Sequence, residues 1–321
     1  MDQIQHNFIT VRGLKFHVAD LGEGSNVVLF LHGFPEIWYS WRYQMVALAN
    51  AGFRTLAPDY RGYGLSDIPP EPEKTTFADL VADLVAILDH LGINKVFVVA
   101  KDFGVRPAYL LTLLHPHRVS CVVTLGVPHV PLEPRKYRES LPEGFYISRW
   151  NVCFGLLIVE MNLDERRLIF GRFDAKTVVR NIYILFSRSE IPIADEKQEV
   201  MDMVDASVPL PPWFTEEDLT TYGALYEKSG FKTALQVPYR SFDEDFGITD
   251  PIVKVPALLI MGCKDYVLKF PGMEEYIKFG KAKELVPDLD IIYLPEGTHF
   301  VQEQSPELVN ELILDFLRSH M

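Results

Sequence analysis

The stretch Val96-Phe97-Val98-Val99-Ala100-Lys101-Asp102-Phe103-Gly104 decides how this chain is read. Its first half is an apolar, β-branched run of the kind found in strands buried on both faces. From Val105 to Leu114 the apolar residues fall at helical spacing. Ala100 stands two residues before Asp102, and Gly104 stands two after it. A small residue and a glycine so placed around a reactive side chain form the pattern of a nucleophile elbow, a strained strand-to-helix turn that lifts its central residue above the sheet. The central residue here is a carboxylate. It suits attack on a saturated carbon, because water can later cleave the resulting ester at the aspartate's own carbonyl. A structural Asp at a strand end is the plainer reading of the same residues, and the rest of the chain decides between them.

Outward from the elbow, strand and helix signals alternate. His6–Val11 and Leu14–Asp20 flank Arg12-Gly13 and predict a hairpin. Val27–Leu31, Thr55–Pro58, Val96–Ala100 and Cys121–Gly126 predict short buried strands. Ala78–Leu91, apolar at 80, 81, 84, 85, 88 and 91, predicts a helix. This alternation implies βαβ units in a mostly parallel, doubly wound sheet, an α/β fold. After Pro128 the rhythm breaks. Proline clusters follow (Pro131, Pro134, Pro142; Pro209-Leu210-Pro211-Pro212), and Thr215-Glu216-Glu217-Asp218 reads as a capping box opening a helix toward Ser229. Sheet signals resume at Ala257–Gly262 and Ile291–Pro295, and a helix over Pro306–Arg318 closes the chain. The expected organisation is a core of residues 1–130 and 246–321, interrupted by a helical cap of residues 131–245 that covers the carboxyl ends of the strands.

Composition narrows the function classes. A hydrophobic content of 48% with 23% charged residues is that of a globular chain with a sizeable core. The net charge of −13 argues against nucleic acid and against an anionic membrane surface as partners. No apolar run approaches the ~20 residues that span a bilayer. Met1-Asp2-Gln3-Ile4-Gln5-His6 lacks the basic and apolar regions of a signal peptide, so a cytoplasmic location is expected. The terminal Ser319-His320-Met321 loosely resembles a peroxisomal tripeptide, which is the alternative. Cys121, Cys153 and Cys263 are odd in number, lie in apolar surroundings and lack metal-site spacing, so buried free thiols are expected. His115-Pro116-His117 is the one close histidine pair and has no further ligands beside it, so no metal site is expected.

Two more acid/base candidates fall where buried strands end. Asp265 follows Ala257–Gly262 in Gly262-Cys263-Lys264-Asp265, and His299 follows Ile291–Pro295 in Glu296-Gly297-Thr298-His299-Phe300. Singly, Asp265 could cap a turn and His299 could be a loop histidine. With Asp102 they make a set of matching type, in the chain order nucleophile, acid, histidine, each at a strand end. His32-Gly33-Phe34-Pro35 after Val27–Leu31 fits an oxyanion hole, with backbone N–H groups from Phe34 and from Phe103. Asp59-Tyr60-Arg61-Gly62-Tyr63-Gly64 is a further loop on the same edge, expected to be structural.

These loops, together with Gly144-Phe145-Tyr146-Ile147-Ser148-Arg149, Gly230-Phe231 and Tyr239-Arg240, resemble the soluble epoxide hydrolases of the α/β-hydrolase fold, plant type. The resemblance spans essentially the whole chain. It implies cofactor-independent conversion of an epoxide and water to a vicinal diol, with Asp102 as nucleophile, His299 as general base and Asp265 as its orienting acid. It further implies that Tyr146 and Tyr239 hold the epoxide oxygen from the cap, with Tyr222 and Tyr226 as alternatives to Tyr239. A small apolar epoxide, from a fatty acid or a terpenoid, is the expected partner, with Phe34, Pro35, Phe103, Trp150 and Phe300 around it and a monomer or homodimer as the assembly. Cap aromatics such as Phe145, Phe154, Phe170, Phe173, Tyr183, Phe186 and Trp213 suit an apolar pocket or ordinary packing equally.

Two departures stand out: Lys101-Asp102-Phe103 replaces the pattern's His-Asp-Trp, and the segment before Tyr239 is one residue longer. Two rival readings fit the same elbow less well. An aspartate-nucleophile dehalogenase needs N–H donors for halide, often the indole of a Trp after the nucleophile, and the Phe103 side chain has no N–H. A ligand receptor on a hydrolase fold would have no need of an intact Asp-Asp-His set.

Overall fold

In the computed structural model, which describes residues 3–130, 141–155, 170–195, 198–239, 241 and 244–321, eight strands form one sheet in the order β1-β2-β4-β3-β5-β6-β7-β8. The strands are β1 (Gln5–Val11), β2 (Leu14–Leu21), β3 (Val27–Leu31), β4 (Arg54–Pro58), β5 (Val96–Lys101), β6 (Val119–Leu125), β7 (Ala257–Gly262) and β8 (Leu289–Leu294). The hairpin β1–β2 turns at Arg12 and Gly13, both with positive φ, as a tight two-residue turn between right-twisted strands requires. β2 also runs antiparallel to β4, and every later pairing is parallel. Every residue of β3, β5 and β7 is buried, which explains their unbroken apolar sequences.

β8 begins at Leu289, two residues before the apolar run at Ile291. It pairs only with β7 at the sheet's edge, so its burial is uneven and its start includes the exposed Asp290. Similarly, β6 starts at Val119 and stops at Leu125, because Gly126 has left the strand with φ +77°.

Helix Phe77–His90 opens with a complete capping box at Thr76 and Asp79 and buries Leu80, Val81, Leu84 and Leu88. The chain leaves β3 for β4 on one side and returns to β5 on the other, so β3 and β5 flank the topological switch point where open α/β sheets place their sites.

Residues 141–245, as described, are helical: Tyr146–Gly155, Ala175–Phe186 and Glu216–Glu227. Thr215 and Asp218 form the anticipated capping box of the last one. A lone bridge between Phe145 and Ile193 is the strand-like feature there. Pro131, Pro134 and Arg240 lie outside the described residues, as do the side chains of Cys153 and Phe154. Cys121 is buried in β6, but Cys263 is exposed, which corrects the expectation for that thiol. Cys263 comes just after β7 ends, in the turn that carries the chain out to Asp265. Among the described residues no helix is long and apolar enough to cross a membrane.

Candidate active site

Asp102 sits at the end of β5 with φ +51°, a left-handed backbone that a non-glycine residue adopts only when its surroundings enforce it. The enforcing contacts are visible at two glycines. A Cβ on Gly104 would lie 2.4 Å from the carbonyl oxygen of His32, and one on Gly33 would lie 2.4 Å from the Cβ of Asp102. The elbow is thus wedged against the loop after β3. That contact brings the Phe34 N–H to 3.1 Å from Asp102 Oδ1, and the Phe103 N–H also supports the carboxylate. His32 stiffens the same loop. Burial lowers its pKa to about 4, so the ring is neutral; Nδ1–H donates to the Gly33 carbonyl and Nε2 accepts the Tyr60 N–H.

Asp265 and His299 close on Asp102 from the ends of β7 and β8. His299 Nδ1 is 3.0 Å from both Asp265 oxygens, and its Nε2 is 3.3 Å from Asp102 Oδ2. Asp265 also accepts the Val267 N–H, which fixes its carboxylate plane. Burial works against a charge on the His299 ring, but Asp265 and Asp102 outweigh it and raise the pKa above the usual histidine value. For Asp102 burial is likewise outweighed, by His299, Lys101 and the Phe103 N–H, and the pKa is held at about 2. The resting site is therefore an imidazole poised between two carboxylates, as in a nucleophile–histidine–acid triad.

Above this edge lies a narrow cavity lined by Asp102, His299, Phe34, Phe300, Tyr266, Tyr146, Trp150, Phe186 and Tyr239. Tyr146 and Tyr239 come to it together, their ring centres 6.3 Å apart. Burial raises the Tyr239 pKa well above 10, so that phenol keeps its proton and is a donor. Tyr222 and Tyr226 are elsewhere: Tyr222 bonds Tyr183 and Glu303, and Tyr226 donates to the Glu36 carbonyl. Asp59 is structural as anticipated, accepting from the Trp38 and Leu65 N–H groups and facing His17.

A second, roomier space also borders Asp102, lined by Phe77, Phe103, Val105, Tyr109, Leu110, Val127 and neighbours. Phe103 faces this space, not the tyrosine-lined one, because its ring packs into the cluster of Tyr60, Tyr63 and Phe77. Pro35 is buried but lines neither space.

Two residues of the site escaped sequence reading. Tyr266, directly after Asp265, places its hydroxyl 3.2 Å from that of Tyr146 and its ring edge-on to His299. Glu36 is fully buried beneath the elbow, accepting the Gly33 N–H at 3.2 Å and the Gln302 amide. A carboxylate embedded in Phe34-Pro35-Glu36-Ile37-Trp38 was the available signal.

A family model described as the alpha/beta hydrolase fold matches residues 26–147, from the start of β3 through the elbow. Epoxide hydrolase 3 of Siraitia grosvenorii is 37% identical, over 99% of this chain and 99% of its own length. Epoxide hydrolase A of Mycobacterium tuberculosis is 32% identical over 96% of each chain. The crystal structure of an epoxide hydrolase from Vigna radiata matches with a TM-score of 0.88 at 33% identity, over 99% of both chains. With relatives of this identity matching over nearly their full length, the chain belongs to the epoxide hydrolases of the α/β-hydrolase fold.

Proposed function

We propose that this epoxide hydrolase opens apolar epoxides through a covalent ester on Asp102 and releases the vicinal diol by hydrolysis at the Asp102 carbonyl. The observation that carries the reading is the placement of His299, with Nδ1 on Asp265 and Nε2 3.3 Å from Asp102 Oδ2, beneath two tyrosines lining the same cavity.

An epoxide is strained but has a poor leaving group until its oxygen receives a hydrogen bond or proton. Tyr146 and Tyr239 donate to that oxygen. Asp102 attacks a ring carbon from the opposite side; the C–O bond breaks, and the oxygen takes a tyrosine proton. Tyr266, bonded to Tyr146, orients that donor.

Ester formation removes the negative charge of Asp102, one of the groups that raised the His299 pKa. The imidazole is thereby released to act as a base at the moment the second step needs one. It takes a proton from water, and the water oxygen bonds to the Asp102 carbonyl carbon. The Phe34 and Phe103 N–H groups receive the oxyanion, each such donor typically contributing ~3–4 kcal/mol. The ester bond then breaks and the diol oxygen takes the proton from His299; the proton left on the new Asp102 carboxyl returns to the tyrosinate, which regenerates both the Asp102 carboxylate and the phenol.

Residues 131–245 act as the cap and residues 1–130 and 246–321 as the core. The two spaces that border Asp102, one lined by Tyr146 and Tyr239 and the other by Phe103, Leu110 and Val127, favour an epoxide with two apolar arms, such as a fatty-acid or terpenoid epoxide. Cytoplasmic action is favoured over peroxisomal, since Ser319 and His320 both bond back to the Phe316 carbonyl at the end of the last helix. Incubation with a panel of aryl, fatty-acid and terpenoid epoxides tests the substrate class. Diol formation is expected to be fastest with internal epoxides that carry two apolar arms. Preference for small terminal epoxides would contradict it.

A further inference from the structure

The reaction as derived leaves the buried charge of Lys101 unused. Lys101 ends β5, one residue before Asp102, and is fully buried. Its Nζ lies 3.8 Å from Glu36 Oε1 and 4.9 Å from the centre of the Phe300 ring, and among the described residues it makes no hydrogen bond. Both neighbours belong to loops that carry the chemistry. Glu36 holds the Gly33 N–H, next to the Phe34 donor, and Phe300 follows His299. Burying an ammonium without a hydrogen bond is unfavourable, and an apolar side chain of similar size would avoid that cost. Packing alone therefore does not account for a lysine here.

We propose that Lys101 is a positioning residue for the second half-reaction, a fixed positive charge beneath Asp102 that favours ester hydrolysis over ring opening. The inference rests on the Asp102 ester. In ring opening, Asp102 gives up its negative charge as the Oδ–carbon bond forms and the ring C–O electron pair moves to the distant epoxide oxygen. A cation beneath Asp102 holds back that step. In hydrolysis the charge returns. Water oxygen bonds to the carbonyl carbon, its proton passes to His299 Nε2, and the carbonyl electron pair moves onto the oxygen held by Phe34 and Phe103. The C–O ester bond then breaks with its electrons and the His299 proton going to the diol. The cation favours that movement of charge toward Asp102.

Lys101 also opposes a proton on His299, whose other charged and titratable neighbours are Asp265, Asp102, Glu36 and Tyr266. Around Glu36 the charged groups are Lys101, Asp102, Glu303 and His299; burial raises its pKa to about 7, and Lys101 works against that rise. Removing the cation should thus leave His299 protonated, and hydrolysis impaired, up to a higher pH.

The test is single-turnover kinetics with trans-stilbene oxide on the parent and on the Lys101→Met and Lys101→Arg variants, following the ester by mass spectrometry across pH. Lys101→Met is expected to hydrolyse the ester roughly tenfold more slowly, the effect of one pKa unit of interaction, with ring opening no slower. Its acid limb should move to higher pH, and Lys101→Arg should restore both properties. If Lys101→Met does not fold, Lys101→Gln, an uncharged side chain that can still hydrogen-bond Glu36, takes its place with the same expectation. Equal slowing of both steps, or an acid limb left at the parental pH, would overturn the inference and leave Lys101 a packing residue. Absence of any ester in the parent would overturn the Asp102 reading itself, and the inference with it.

Discussion

Asp102, Asp265 and His299 stand at the ends of β5, β7 and β8 and are fixed by hydrogen bonds and ion pairs of 2.9–3.3 Å. Tyr146 and Tyr239, facing them, are positioned chiefly by rings. Tyr146 packs against Phe145, Trp150 and Phe186 at 4.8–5.0 Å, and Tyr239 packs against Trp150 at 5.3 Å. A buried polar knot joins the two sides: Arg42 pairs with Asp218 and Glu303, and Glu303 accepts from Tyr183 and Tyr222. The contrast separates two tasks. Directional bonds on the core side hold charge where it must appear and disappear, and preorganised charge is where catalysis gains most. Aromatic packing on the other side sets cavity shape and, in the proposed mechanism, aims two proton donors, a task that tolerates small shifts of the rings.

The largest expected effect comes from breaking the core side. His299→Gln should still form the ester but stall its hydrolysis, lowering steady turnover ~10²–10⁴-fold, the usual worth of a general base. Mass spectrometry should find substrate mass on the peptide that contains Asp102. Steady turnover at the parental rate would remove His299 from the role of base.

On the other side the effects should be graded. The double variant Tyr146→Phe/Tyr239→Phe should slow ring opening by ~10²–10³-fold, as for loss of preorganised donors. Each single change should cost less, because one phenol still activates the ring. Tyr266→Phe should cost least of all, acting only through Tyr146. Since phenylalanine keeps the ring contacts, the melting temperature of each variant should stay near the parent's. A double variant that opens epoxides at the parental rate, or that loses its fold, would erase the division between the two sides.

The same division governs what sequence could reveal. The buried parallel strands read clearly because every residue of β3, β5 and β7 is buried, and the carboxylates and histidine proposed as catalytic stand at strand ends, where apolar runs stop. The start of β8 was missed because an edge strand is only partly buried. Tyr146 and Tyr239 became candidates through family resemblance, since helical periodicity does not distinguish a packed tyrosine from one lining a cavity. Tyr266 lay one residue from a recognised aspartate, yet its aim depends on the short 3₁₀ turn Tyr266–Lys269 after Asp265. Glu36 reads as an unremarkable loop carboxylate until the fold brings Gln302 and Lys101 to it.

The covalent ester on Asp102 is the centre of the account, and a single turnover in heavy-oxygen water tests it most directly. With enzyme in excess over epoxide, the label should enter the Asp102 carboxylate, and the diol should leave with an unlabelled oxygen from the enzyme. Label found only in the diol, with Asp102 unlabelled, would mean that water attacks the epoxide directly and would contradict the account.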